Sequence, residues 1–258
     1  MAAKLIACST FGTAFGILLA GAQVTNPYPI STDRPSFSDG TSIVPVGHPQ
    51  VELGFNRFFE SGLANDTYGQ TIFRFADRSN FEWRLSNGNF ENNSGANRQS
   101  GWQDPTIGIK WLVQPGKYRP GNSRPEYSLE LSSSFPIGSP NFRAQGLQPT
   151  AKFIWEYQTS PNTILGGNLV LEEIDSPVSF PQFSESIYID QTLSKRLGAF
   201  AEVFRIDPLA YGTTGETLTD YGFEYLLNKK IQVDIEYETS ISGSPAIKSF
   251  GFGIAYRY

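Results

Sequence analysis

Ten acids and five bases recur on one side of short alternating segments. The acids are Glu52, Glu82, Glu130, Glu156, Glu172, Asp190, Glu202, Glu224, Asp234 and Glu236, and the bases are Arg74, Arg84, Lys110, Lys152 and Arg257. Facing one another across an enclosed space, such groups can do two things. They can pair into a rigid filling, or they can line a wet path and sort solutes by charge. Both remain open here, because acids in excess of bases must meet water. An acid-lined passage would favour cations or neutral solutes over small organic acids. Catalysis has little support. Hydrolysis on such a scaffold needs a histidine beside Ser or Asp at the outer rim. The only histidine, His48, stands instead at the start of the first alternating segment. The only cysteine, Cys8, lies in the N-terminal apolar run, so no disulfide, thiol chemistry or His/Cys metal set is expected. The GFG at 251–253 has no helix after it and is not a phosphate loop. We therefore assign no catalytic residue, no metal and no cofactor.

Those charges need elements that hold them on one side. The segments VELGF (51–55), TIFRF (71–75), FEWRL (81–85), TIGIKWLV (106–113), YSLELSSSF (127–135) and AKFIWEY (151–157) alternate large apolar with charged or small residues. TILGGNLVLE (163–172), ESIYIDQTL (185–193), GAFAEVF (198–204), DYGFEYL (220–226), IQVDIEYE (231–238) and FGFGIAYRY (250–258) continue the pattern. Period-two alternation is the signature of a strand with two different faces. These twelve segments have the length a tilted strand needs to cross a bilayer. Tight turns at DRSN, TSPN, SKR and NKK alternate with longer links such as PIGSPNFRAQGLQP and DPLAYGTTGETLT. ESGLANDTYG and IDSPVSFPQF also read as long links. Short turns on one side and long loops on the other describe an outer-membrane barrel. QPGKYRPGNSRPE is longer than the pattern predicts for its side.

Cost decides which face meets lipid. An Arg or Lys at mid-bilayer costs roughly 2–4 kcal/mol. With the charged face outward, the sum would exceed a stability of about 5–15 kcal/mol. The charged face is therefore the lumen, and Phe250, Phe252, Ile254, Tyr256 and Tyr258 face lipid. In hydrocarbon only a closed sheet satisfies its backbone, so the last strand must pair with the first as well as with IQVDIEYE. Its aromatic end fits the strand that outer-membrane assembly machinery recognises. Phe58, Tyr188, Phe200 and Phe204 fall on the inward parity and are candidate stacking steps for a solute.

Residues 1–22 read as a cleaved signal peptide: Lys4, an apolar run over 5–19, and the small-x-small site Ala20-Gly21-Ala22. Residues 23–49 are too rich in proline for a helix or a central strand. They form either a periplasmic linker or a candidate plug in the barrel mouth, with Asp33, Arg34 and Phe37 as its contacts. Residues 50–258 form the barrel. The net charge of −5 and the lack of a basic stripe argue against nucleic acid. The remaining partners are outer-membrane lipid and a small-molecule solute. Aromatic content of 14% is high for a soluble chain.

The stretch STDRPSFSDGTSIVPVGHPQVELGF resembles the opening of a bacterial outer-membrane family labelled for a meta-pathway of phenol degradation, or simply as transporters. Thr32, Asp33, Arg34, Pro35, Phe37 and Ser38 meet its T-D-R-P-x-F-(S/T) pattern, and Val44, Pro45, Gly47, Gln50, Glu52, Gly54 and Phe55 meet the rest. The hairpin FRFADRSNFEWRL resembles a second motif through Arg74, Asp77, Glu82 and Arg84, departing at Phe75-Ala76, where Gly-Leu is usual. The resemblance covers nearly the whole chain after the expected signal peptide and implies import of aromatic compounds. The combined expectation is an all-β, up-and-down transmembrane barrel of about twelve strands, preceded by an extended segment. It would pass small, aromatic or hydrophobic molecules without energy input. The alternative is a plugged structural barrel that binds through its long loops and transports nothing.

Overall fold

The computed structural model describes residues 29–60, 63–94, 98–175, 178–242 and 247–258. The expected signal peptide and the start of the proline-rich segment lie outside them. Alternation builds one antiparallel sheet. Its first strands are β1 (Gln50–Glu60), β2 (Leu63–Arg78), β3 (Phe81–Ser86), β4 (Phe90–Asn93), β5 (Gln99–Trp102) and β6 (Thr106–Gln114). There follow β7 (Glu126–Ser134), β8 (Gln148–Ser160), β9 (Thr163–Asp175) and β10 (Ser179–Thr192). The sheet ends with β11 (Leu197–Asp207), β12 (Glu216–Asn228), β13 (Ile231–Ser242) and β14 (Ile247–Arg257). β3 and β4 pair with different stretches of β2, and β6 and β5 with β3 and β4 in turn. Each of these two couples is one interrupted stave, so the barrel has twelve staves.

The barrel closes where β1 pairs with β14 as well as β2. The seam runs in unbroken register from Gln50↔Arg257 to Phe59↔Lys248. Its short-turn end is fastened outside the ladder too. Tyr258 N–H donates to Pro49 O at 2.9 Å, and His48 Nδ1 lies 3.0 Å from Tyr258 O. The lone histidine thus sits at the seam.

The faces follow the parity argument. Leu53, Ile107, Trp111, Ile189, Phe223 and Phe252 stand exposed on the outside. Glu52, Arg74, Glu82 and Lys110 are completely buried inside. Two links expected to be loops are largely strand: β2 already begins at Leu63, and β9 and β10 run to Asp175 and from Ser179. Part of the link after β3 is likewise the β4–β5 hairpin. Strands that rise beyond the hydrocarbon keep their ladder but lose the apolar alternation by which a sequence reveals them. The long connections that remain on that side are 135–147 and 208–215. On the opposite side, the 115–125 link is drawn in by a bridge between Lys117 and Arg124.

Candidate functional site

Residues 29–49 lie inside the barrel. Ile30 N–H donates to Lys229 O at 2.9 Å near the short-turn end. The chain then climbs into the lumen, crosses it, and returns to start β1. Asp33, Ser38, Asp39, Thr41 and Val44 are buried. A segment that forms no ladder must find other partners for its N–H groups, and the inward carboxylates supply them. Glu52 Oε2 accepts from Asp33 N–H at 3.1 Å, Asp220 Oδ2 from Phe37 N–H at 3.2 Å, and Glu202 Oε2 from Ser38 N–H at 3.2 Å. Glu156 Oε1 accepts from Thr41 N–H at 3.2 Å, and Glu82 Oε2 from Val44 N–H at 2.8 Å.

Asp33 is the electrostatic centre. Its Oδ2 meets Lys110 Nζ at 2.8 Å, Arg74 NH1 at 3.3 Å, and Arg84 NH1. Burial works against its ionisation, but Arg74, Lys110 and Arg84 outweigh that and hold the carboxyl well below 3.8. Arg74 is also held by Glu52 and Glu82, each at 2.8 Å. Asp39 pairs with Lys152 at 2.5 Å, and Glu130 with Arg84 at 3.2 Å. Arg34 points the other way, toward Asp234 Oδ1 at 3.3 Å and Gln70 Oε1 at 2.5 Å. The guanidinium occupies a notch formed by two paired glycines, Gly54 of β1 and Gly253 of β14. A methyl group on either would overlap it. The small inward face of the last strand is thus matched to one arginine.

The charges divide by side. Arg74, Arg84, Lys110 and Lys152 stand on β2, β3, β6 and β8, where the ion pairs cluster. Glu202, Asp220, Glu224, Asp234, Glu236 and Glu238 stand on β11, β12 and β13, which contribute no base to the lumen. For these six acids Arg34, from the segment, supplies the one ion pair among the described residues, while Asn56 Nδ2 donates to Glu236 at 3.1 Å. Arg257 closes the short-turn end, donating to Gln50 Oε1 at 2.9 Å and Pro29 O at 3.2 Å.

Every lumen position named from the sequence has the inward parity. The network gathers Glu52, Arg74, Glu82, Arg84, Lys110, Glu130 and Lys152 around Asp33. Glu172, Asp190 and Glu224 stand apart from it. Three of the four aromatic candidates are occupied. Phe204 stacks on Phe37 with centroids 4.2 Å apart, Tyr188 O–H donates to Glu156 at 2.7 Å, and Phe200 is buried. Phe58 shares the inward parity of Asn56. Sequence reasoning missed Gln50, Asn56, Ser128, Asn168, Glu216 and Asp220, all buried. Ser128, Asn168 and Asp220 lie on the inward parity within the alternating segments, and Gln50, Asn56 and Glu216 continue that parity just beyond them.

Fold and site together define a twelve-stranded membrane-type barrel whose lumen is crossed by its own N-terminal segment. The chain matches the family described as "Putative MetA-pathway of phenol degradation" over residues 32–258, and belongs to it. Among solved structures it is similar to the COG4313 outer membrane channel from Pseudomonas putida F1, with a TM-score of 0.63, 10% identity, and 87% and 99% of the two chains covered. The NanC porin follows, with a TM-score of 0.56 and 8% identity over 81% of this chain and 100% of the porin. The KdgM porin gives 0.52 and 12% over 80% and 99%. No curated protein sequence matches the chain.

Proposed function

We propose that the protein is an outer-membrane channel for passive diffusion of small molecules, kept closed by residues 29–49. The observation behind this is the docking of Asp33 and Arg34. Asp33 lies against three bases on β2, β3 and β6, while Arg34 reaches the opposite wall at Asp234. Such a crossing leaves no straight path, so passage requires the segment to move. Its ends lie at the short-turn side, so it would withdraw toward the periplasm. The apolar outer face supports residence in outer-membrane lipid, and the aromatic last strand supports recognition by the assembly machinery. The deciding experiment compares single-channel conductance of the intact chain with that of a chain lacking residues 31–44, both refolded and heat-modifiable on gels. We expect brief or absent openings from the first and steady openings from the second. A folded deletion variant that stays silent would favour the structural, non-transporting barrel.

The finer reading, passage of aromatic solutes, has the Phe37–Phe204 stack in its support. A planar solute could take the place of Phe37 on Phe204 and so help to loosen the segment. Phenol added to the intact chain should then raise its open probability, and Phe204→Leu should remove that response.

A further inference from the structure

Above the crossing segment, toward the long loops, lies a cavity of about 430 Å³. That is within the roughly 300–1,000 Å³ range of small-molecule sites. Its floor is Asp33, Arg34 and Asp39. Its wall is the outer ends of β3, β6, β7 and β8, which present Ser86, Thr106, Ser132, Ser134, Gln148 and Thr150.

Apart from Glu172, the charged groups at this mouth are already used in ion pairs. Arg34 is paired with Asp234 at 3.3 Å, Arg84 with Glu130 at 3.2 Å, and Lys152 with Asp39 at 2.5 Å. The lining holds four acids against three bases, so it presents no positive excess to an anion. No lining side chain is aromatic, and the larger apolar ones are Pro35, Ile72 and Leu85. A benzene ring finds nothing to stack on. What remains free is neutral hydrogen-bonding capacity. The side chains of Asn89, Thr106 and Ser132 bond to no other described residue. Ser134 Oγ accepts from Gln148 Nε2 at 3.1 Å and keeps its own proton to donate.

We propose that this outer mouth is a binding site for small, neutral, polyhydroxylated solutes. Serine and threonine hydroxyls both donate and accept, as the hydroxyls of such a solute do. Several of them at the ends of neighbouring strands match several on one molecule. A solute lacking those groups would leave the wall hydroxyls unpaired, and that loss is what discriminates against it. The outward orientation of the site rests on the channel reading, but binding itself requires no conduction.

The test is calorimetric titration of the detergent-refolded barrel with sucrose, glucuronate and phenol. We expect saturable sucrose binding that phenol does not displace. The double variant Thr106→Val/Ser132→Ala should weaken it by about tenfold, as loss of one or two hydrogen bonds would. Thr150→Val, on the next strand, should weaken it separately, with the heat-modifiable gel shift retained in both. The proposal fails if sucrose does not saturate, if phenol or glucuronate displaces bound sucrose, or if folded variants bind sucrose unchanged. Bilayer recordings on the same preparation separate the two ideas. Sucrose binding without conductance from the segment-deleted barrel overturns the channel and leaves the site. Conductance without binding does the reverse.

Discussion

At the residue scale, two neighbours in the segment set its position by opposite means. Arg34 is held by shape, in the notch at Gly54 and Gly253, and by Asp234. The substitution Gly54→Val puts a side chain where the guanidinium lies, yet valine suits a strand. We expect Arg34 to leave, the barrel to stay folded, and open probability in bilayer recordings to rise; unchanged gating would show that the notch does not hold the segment. Asp33 is held by charge. Removing it with Asp33→Asn leaves Arg74, Arg84 and Lys110 short of a buried counter-charge. Breaking a buried ion pair costs about 3–5 kcal/mol, so denaturant unfolding should show a loss of that order. The pH dependence has a definite sign. The Asp33 carboxyl is held below 3.8, so its contribution is complete above that value and is lost only as pH falls well beneath it. The segment should therefore stay docked through mildly acidic pH, as checked by protease access to residues 31–44. The sequence marked Asp33 and Arg34 as candidate plug contacts, but not which lumen groups they meet. Their partners on the barrel wall lie 18 to 200 positions away, and no local period encodes such distances.

At the element scale, the strands were legible because burial reverses across each one. Charge inward and apolar side chains outward repeat every second residue, and the membrane enforces both faces. The poorest alternation, in β11, still resolves correctly: Phe200, Glu202 and Phe204 are buried, and Ala201 and Val203 are exposed. What stayed hidden was strand outside the hydrocarbon. Leu63–Gly69 and the β4–β5 hairpin carry polar residues on both faces, so only the backbone ladder defines them. The outward face makes its own prediction. Phe252 lies in the middle of β14, beside Phe55 with ring centroids 5.2 Å apart. Phe252→Arg should destabilise the barrel in lipid vesicles by roughly 2–4 kcal/mol. Lys248→Arg, near the strand's outer end, should be nearly silent. Equal effects at the two positions would mean that β14 does not face hydrocarbon as its parity requires.

For the whole molecule, the question is what the lumen becomes once the segment leaves. The wall holds its bases on β2, β3, β6, β8 and β14, and the long acidic arc of β11, β12 and β13 contributes none. The segment presents N–H groups and Arg34 to that arc, so withdrawal exposes carboxylates that had partners. Water would replace those partners, and carboxylates along one wall of a narrow wet path raise the local concentration of cations. The Asp33 carboxylate leaves too, but Glu52, Glu82 and Glu130 remain in contact with Arg74, Arg84 and Lys110. The opened barrel should therefore prefer cations, as a reversal potential in a potassium chloride gradient will show for the chain lacking residues 31–44. Neutralising the arc with Glu202→Gln/Glu236→Gln should reduce that preference without abolishing conductance. Anion selectivity in the deletion variant would mean that the bases on β2, β3 and β6 dominate the path, and the acidic arc would then serve only to receive the segment.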